Sequence, residues 1–352
     1  MRIAQIAPLA EAVPPALYGG TERVVSWLTE ELVEQGHDVT LFAAGGSKTA
    51  AKLVPGCDRG LRLNGFADHT ASNLVMLEHV RRQAGQFDII HCHIDILQYA
   101  VFQDLGHKFV STLHGRLDRP DLWPLYETYR DMPLVSISNR QREPMPDNVN
   151  WVATVYHGLP AAACPFDAKG GDYLAFLGRM SPEKRPDRAI EIAIRAGVRL
   201  RLAAKVDEVD RGYFDEMIKP MLDHPLIEFI GEIDEGQKSA FLRGARALLF
   251  PIDWMEPFGL VMIEAMSAGT PVIAWRNGSV PEIIEEGRSG LIVDSMDMAV
   301  EAVGRATMLD RSVVRRSFER RFTAARMAGN YVAVYEDLIG RPATRPEREA
   351  AE

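Results

Sequence analysis

Cysteine is scarce in this 352-residue chain: only Cys57, Cys92 and Cys164, far apart and odd in number. That excludes a disulfide framework and predicts reduced thiols in a cytosolic protein. Long apolar runs are missing too, and none approaches the ~20 residues that span a bilayer. Stable membrane insertion is therefore not expected. The chain enters an apolar stretch at Arg2–Ala7 with no basic leader and no cleavage site, so a cytoplasmic location is expected. Positive charge is in deficit. With 40 Lys and Arg against 49 Asp and Glu, the formal net charge is -9, which argues against a nucleic-acid partner needing a basic face.

What is present suits a globular protein: 47% hydrophobic and 25% charged residues, enough to fill two cores. At 352 residues, two domains of ordinary size are favoured over one. Strand Arg2–Ala7 leads into a Pro/Gly loop, then a helix with Thr21 as expected N-cap and Val24, Val25, Leu28 and Leu32 on one face. Gly36 ends it, and Val39–Ala43 is the next strand, which makes a βαβ unit and a parallel sheet. Further strands are expected at Asp88–Cys92, Phe109–Leu113, Leu134–Ile137 and Trp151–Val155. A Pro/Gly-rich hinge over 158–171 follows. The pattern then restarts with strand Tyr173–Leu177, helix Arg188–Ala196, strands Leu200–Ala204 and Ile227–Phe229, helix Lys238–Ala245 and strand Ala247–Pro251. Two α/β halves joined by a hinge make a ligand cleft between them the expectation. A last helix, about Phe322–Leu338, carries Met327, Tyr331, Val334 and Leu338 on one stripe, and 341–352 reads as a flexible tail.

The most informative stretch runs from Glu256 to Glu264. Leu260–Ala268 is an almost wholly apolar helix, hence a buried one, with Glu264 in its middle. An ionised Glu there costs several kcal/mol unless it is paired or hydrogen-bonded. No Lys or Arg stands three or four positions away, so the partner comes from elsewhere in the fold or from a ligand such as a diol. Glu256 lies at the mouth of the same helix, where unpaired N–H groups favour anions. A carboxylate beside a phosphate-ready helix end points to a ligand carrying both phosphate and hydroxyls, a nucleotide sugar.

Other features read two ways. Ala44–Thr49 lacks the Gly-Lys-[Ser/Thr] of a P-loop. His91-Cys92-His93 offers two imidazoles on one strand face, but no second cluster completes a metal site, and none is expected. Gly19-Gly20 suits either an anion approach or a plain turn. Arg179 and Lys184, after a strand, could hold a diphosphate or form a solvated basic loop with Glu183. His114 at a strand tip could meet a ligand or simply lie on the surface.

In order along the chain stand Tyr18-Gly19-Gly20-Thr21-Glu22, Gly36-His37-Asp38-Val39, Asp88–His93, Leu113-His114-Gly115 and Gly178–Lys184. Glu256-Pro257-Phe258-Gly259 through Glu264-Ala265-Met266, Gly269–Ile273, Gly278–Glu282 and Gly290–Val293 follow. Taken together, the chain resembles a retaining glycosyltransferase of family 4, of the GT-B architecture, from Met1 to about Leu338. The resemblance implies two Rossmann-like doubly wound α/β domains facing a central cleft. The acceptor domain would be 1–160, the nucleotide-sugar domain 161–321, and the helix at about 322–340 would cross back to the first.

It further implies that Arg179 and Lys184 bind the leaving diphosphate, that Glu264 holds the ribose hydroxyls, and that Glu256 lies by the donor sugar. The backbone of Phe258, Gly259 and Leu260 would touch sugar and phosphate, and that of Ile233 the base. His114 would lie near the sugar's 6-position, and Gly19 and Gly20 near the phosphates. The activity implied is hexosyl transfer from a nucleoside-diphosphate sugar to an acceptor hydroxyl by front-face displacement. No metal is required, in keeping with the lack of an Asp-x-Asp motif, and no other cofactor. The implied partners are a nucleotide sugar and a small or oligosaccharide acceptor, with a homo-oligomer left open. A nucleotide-sugar 2-epimerase and a non-catalytic nucleotide-sugar binder are the alternatives. This chain departs from the common pattern at Lys205, His157, Trp254 and Met255, the last two bulky beside Glu256. Trp123, Tyr126 and Tyr129 form an expected acceptor wall.

Overall fold

The structure, a computed structural model, describes residues 1–16, 19–62, 64–66 and 68–340. Tyr18 and the tail 341–352 lie outside the described residues. The chain separates into two units, Met1–Tyr156 with the last helix, and His157–Thr323.

The first unit runs β1 (Arg2–Ile6), α1 (Gly20–Glu34), β2 (Asp38–Ala44), β3 (Lys52–Cys57), α2 (Thr70–Gln83), β4 (Ile89–Cys92), α3 (Gln98–Phe102), β5 (Phe109–Thr112), α4 (Trp123–Thr128), β6 (Leu134–Ser136) and β7 (Trp151–Thr154). The second runs β8 (Tyr173–Arg179), α5 (Pro186–Ala196), β9 (Leu200–Lys205), α6 (Arg211–Tyr213), β10 (Ile227–Gly231), α7 (Glu235–Arg243) and β11 (Ala245–Phe250). It continues through α8 (Leu260–Ser267), β12 (Val272–Trp275), α9 (Val280–Ile283), β13 (Gly290–Val293), α10 (Met296–Ala306) and α11 (Arg311–Arg321). Helix α12 (Ala324–Gly340) rejoins the first unit and packs on α1.

Both sheets are parallel, in the orders β3-β2-β1-β4-β5-β6-β7 and β10-β9-β8-β11-β12-β13. Parallel strands are covered on both faces, which is why Ile3, Ala4 and Ile6 of β1, like Leu174 and Ala175 of β8, are fully buried. In each sheet the direction of winding reverses beside the first strand, between β1 and β4 and between β8 and β11. Ligands of open α/β sheets bind outside the carboxyl ends of strands at such a reversal.

Local chemistry differs from the sequence expectation in places. Gly19, not Thr21, holds the N-cap position of α1. Helix α7 begins at Glu235, ahead of the expected Lys238, because Asp234 and Gln237 close a capping box. Strand β3 was not expected; it is a half-exposed edge strand carrying Pro55, so its pattern is weak. On α12 the inner stripe is Met327, Tyr331, Tyr335 and Leu338, with Val334 only half-buried. Cys57, Cys92 and Cys164 are free thiols. Among the described residues no helix is long and apolar enough to cross a membrane.

The second unit is tied together by the buried guanidinium of Arg311 at the start of α11. It donates to the carbonyls of Asp167 at 2.7 Å, Ala245 at 2.9 Å and Arg243 at 3.0 Å, and to Thr270 Oγ1 at 2.9 Å. These acceptors come from the segment before β8, from both ends of the α7–β11 turn and from the turn after α8. Replacing Arg311 with Met strands several buried acceptors at once. Urea unfolding of Arg311→Met is expected to show a loss of about 3 kcal/mol.

Candidate functional site

Strand β8 ends at Arg179, and the next turn carries Lys184 and Arg185 before Pro186 opens α5. Arg185 has φ 53°, the one non-glycine residue with positive φ among the described residues. Such a backbone costs of order 1 kcal/mol or more and persists only where surrounding bonds hold it. Here they do: Arg185 grips Asp187 through Nε and Nη2 at 2.9 and 2.6 Å, and Asp253 through Nη1 at 2.9 Å. Asp253 also receives Arg188 at 3.1 Å, and its backbone N–H donates to the carbonyl of Glu183 at 2.9 Å. The turn after β8 is thereby locked to the loop after β11.

That lock brings Lys184 to Glu256. Lys184 Nζ donates to Glu256 Oε2, and the same oxygen accepts the indole N–H of Trp254 at 3.0 Å. The ammonium also lies 4.8 Å from the centre of the Trp254 ring. The bulk of Trp254 therefore has a use beyond filling space, since it clamps the carboxylate and its cation. Gly278 packs so closely that a Cβ there would overlap the backbone of Glu256, and Ser279 N–H donates to the Glu256 carbonyl at 3.0 Å. Gly259, at φ 80°, then turns the chain into α8, whose first residue is Leu260, behind the buried ring of Phe258.

Glu264 is 7% exposed in the middle of α8, as its apolar surroundings imply. Its cation is Lys238 of α7, 9% exposed, whose Nζ lies 2.6 Å from Glu264 Oε1 and 2.7 Å from Glu235. The sequence contains the lysine but nothing that pairs it with Glu264 across 26 positions. Arg179 stands among carboxylates, 3.3 Å from Glu183 and 3.9 Å from both Asp207 and Asp210. Its buried Nε–H has no hydrogen-bond acceptor among the described residues. Lys205 pairs with Asp207 at 2.7 Å. Ile233 lies half-buried between β10 and α7.

In the first unit, Gly19 and Gly20 open α1 beside the buried carboxylate of Glu22, which burial pushes above its ordinary range. The start of α1 thus already carries an acid of its own. His114 follows β5 and lies half-buried, its Nε2 2.8 Å from His93 Nδ1. Burial pushes the His114 imidazole down to about 3 and His91 well below the ordinary value. The two rings of His91-Cys92-His93 lie 4.0 Å apart, taken up in hydrogen bonds to Gln5, Tyr335, Thr112 and His114. Tyr126, buried, and Tyr129, half-buried, each pack their rings 5.9 Å from that of Tyr99, and Trp123 is half-buried.

Two family models match the chain: one described as Glycosyltransferase Family 4 over residues 18–142, the other as Glycosyl transferases group 1 over residues 166–316. Among curated relatives, the glycogen synthase of Mycobacterium tuberculosis is 26% identical over 89% of this chain and 87% of its own. A phosphatidyl-myo-inositol mannosyltransferase of Mycobacterium leprae is 24% identical over 96% and 97%. The crystal structure of AviGT4, a glycosyltransferase involved in avilamycin A biosynthesis, superposes with a TM-score of 0.74 at 25% identity, over 96% and 98% of the two chains. The fold is GT-B. The matched models and relatives support sugar transfer.

The depressed imidazoles give a pH prediction. The unfolded chain protonates His91 and His114 near the ordinary value of 6.5, whereas the folded chain resists, His114 down to about 3. Their contribution to stability is full above the unfolded value and lost as pH falls towards the folded one, at about 1.4 kcal/mol per pH unit for each ring. Denaturant melts between about pH 6.5 and pH 4 are expected to be shallower in pH by that amount in His114→Gln. An unchanged slope would contradict the neutral, buried ring.

Proposed function

We propose that this GT-B glycosyltransferase moves a hexosyl group from a nucleoside-diphosphate sugar to an acceptor hydroxyl, with retention at the reacting carbon and without a metal. The observation that carries this reading is the pairing of Lys184 with Glu256 ahead of the amino end of α8, at the reversal between β8 and β11, with Arg179 at the carboxyl end of β8. Arg179 and Lys184 take the charge that grows on the departing diphosphate. The acceptor-free Nε–H of Arg179 suits an anion, and Lys184 leaves Glu256 for the phosphate when the donor arrives. Glu256, freed of its ammonium yet still held by Trp254, then accepts from sugar hydroxyls. Glu264 receives the ribose hydroxyls while Lys238 keeps it charged. The amides of Phe258, Gly259 and Leu260 serve the sugar and phosphate, the backbone at Ile233 serves the base, and His114 meets the transferred sugar. The family resemblance supports these roles residue by residue.

In this reading the diphosphate oxygen takes the acceptor's proton on the same face, so neither glutamate acts as the acid or base of a glycosidase pair. Incubation with a panel of nucleotide sugars and hydroxyl acceptors is expected to release free nucleoside diphosphate with an α- or β-linkage matching that of the donor. A product of opposite anomeric configuration would remove the retaining mechanism. An epimerised but intact nucleotide sugar, formed without acceptor, would remove transfer itself. Lys184→Ala is expected to lower kcat by about 10²–10³-fold with the fold intact. Chelators are expected to leave turnover unchanged.

A further inference from the structure

We propose that a buried chain of hydrogen bonds, running from α12 through Gln5 and His93, fixes His114 as its Nε2–H tautomer and leaves Nδ1 as its accepting atom. The functional half of this inference rests on the reading of His114 as a contact of the transferred sugar.

Gln5 is the one polar residue in the middle of β1, fully buried, and its register partner on β4 is His91. A side-chain amide between imidazoles has direction, because its oxygen only accepts and its nitrogen only donates. Gln5 Oε1 lies 2.7 Å from His93 Nε2, so His93 carries its proton there. A neutral imidazole has one N–H, which leaves His93 Nδ1 as an acceptor. The atom 2.8 Å from it is His114 Nε2, which must therefore donate. The lone pair of His114 then resides on Nδ1.

The other side of Gln5 follows the same order. Gln5 Nε2 donates to Tyr335 Oη at 3.1 Å, and the Tyr335 hydroxyl donates to His91 Nδ1 at 2.7 Å. His91 Nε2–H donates to Thr112 Oγ1 at 2.7 Å, and Thr112 donates to Tyr331 Oη at 3.0 Å. The shortest contacts along this path thus run in one direction, and Gln5 Nε2 also lies 3.5 Å from the same His91 Nδ1. Turning the Gln5 amide over would require every ring and hydroxyl in the path to reverse with it. Two tyrosines of α12 thus anchor a network that ends at His114, which gives the last helix a part in setting the chemistry of a strand-end side chain. Gln5, His93 and Tyr335 are positioning residues in this account. Their effect is that His114 holds its N–H towards His93 and supplies no proton to the leaving group.

Histidine labelled with ¹⁵N in the full-length protein tests this, since long-range ¹H–¹⁵N spectra distinguish the two neutral tautomers and the imidazolium. His93→Gln and His114→Gln supply the assignments. Both rings are expected as Nε2–H at about pH 8, with His114 unchanged down to about pH 5. An Nδ1–H form of either ring, or a charged His114 at neutral pH, would overturn the proposal. Gln5→Leu removes the acceptor of His93 and keeps the volume. It is expected to give mixed tautomers at His93 and His114, with kcat lowered about tenfold at unchanged donor KM. Tyr335→Phe is expected to give the same change in smaller measure. An unaltered spectrum in folded Gln5→Leu also overturns the proposal, and should that variant not fold, the wild-type spectrum decides alone. Expected tautomers together with full turnover in His114→Ala would instead reject the sugar contact and leave the relay standing.

Discussion

Burying carboxylates around one short helix is the constraint on which the second unit is arranged. Glu264 sits mid-helix in α8, where an ion without a partner costs several kcal/mol, and Lys238 answers it at 2.6 Å. Glu256 precedes the same helix and is answered by Lys184 and Trp254. Supplying those cations dictates much else. Helix α7 must present Lys238, so its start is fixed by a capping box at Asp234. The turn after β8 must present Lys184, so Arg185 is held in a left-handed conformation by Asp187 and Asp253. Gly278 must lack a side chain so that the loop carrying Glu256 can lie against it.

The first unit solves burial in the opposite way. Its polar core around Gln5, His91, His93 and His114 consists of neutral rings, hydroxyls and one amide. Desolvation keeps His91 and His114 uncharged, so order comes from matching donors to acceptors and not from ion pairs.

Much of this was legible in the sequence, because parallel strands are short continuous apolar runs bounded by Gly and Pro. The strands from Arg2, Phe109 and Leu200 needed no more than that. The isolation of Glu264 in an apolar helix was equally plain, and it correctly demanded a partner. Which partner was not readable, since Lys238 lies on another helix and shows only the ordinary spacing of a surface lysine. Arg311 was invisible for a similar reason: its acceptors are backbone carbonyls, which leave no mark on composition. The cap of α1 went to Gly19 although Thr21 offered a better capping side chain. Gln5 carried no signal within strand Arg2–Ala7, and only the surrounding rings give it a meaning.

The central claim is that the buried Glu264 is built for a ribose diol and not merely for Lys238. Calorimetric titration of the wild type and of Glu264→Ala with a nucleoside diphosphate and its 2′,3′-dideoxy counterpart tests it most directly. The account predicts that the wild type binds the ribose form about 10–100-fold more tightly and that Glu264→Ala, still folded, binds both alike. Equal affinity of the wild type for the two forms, or full discrimination in Glu264→Ala, would contradict it.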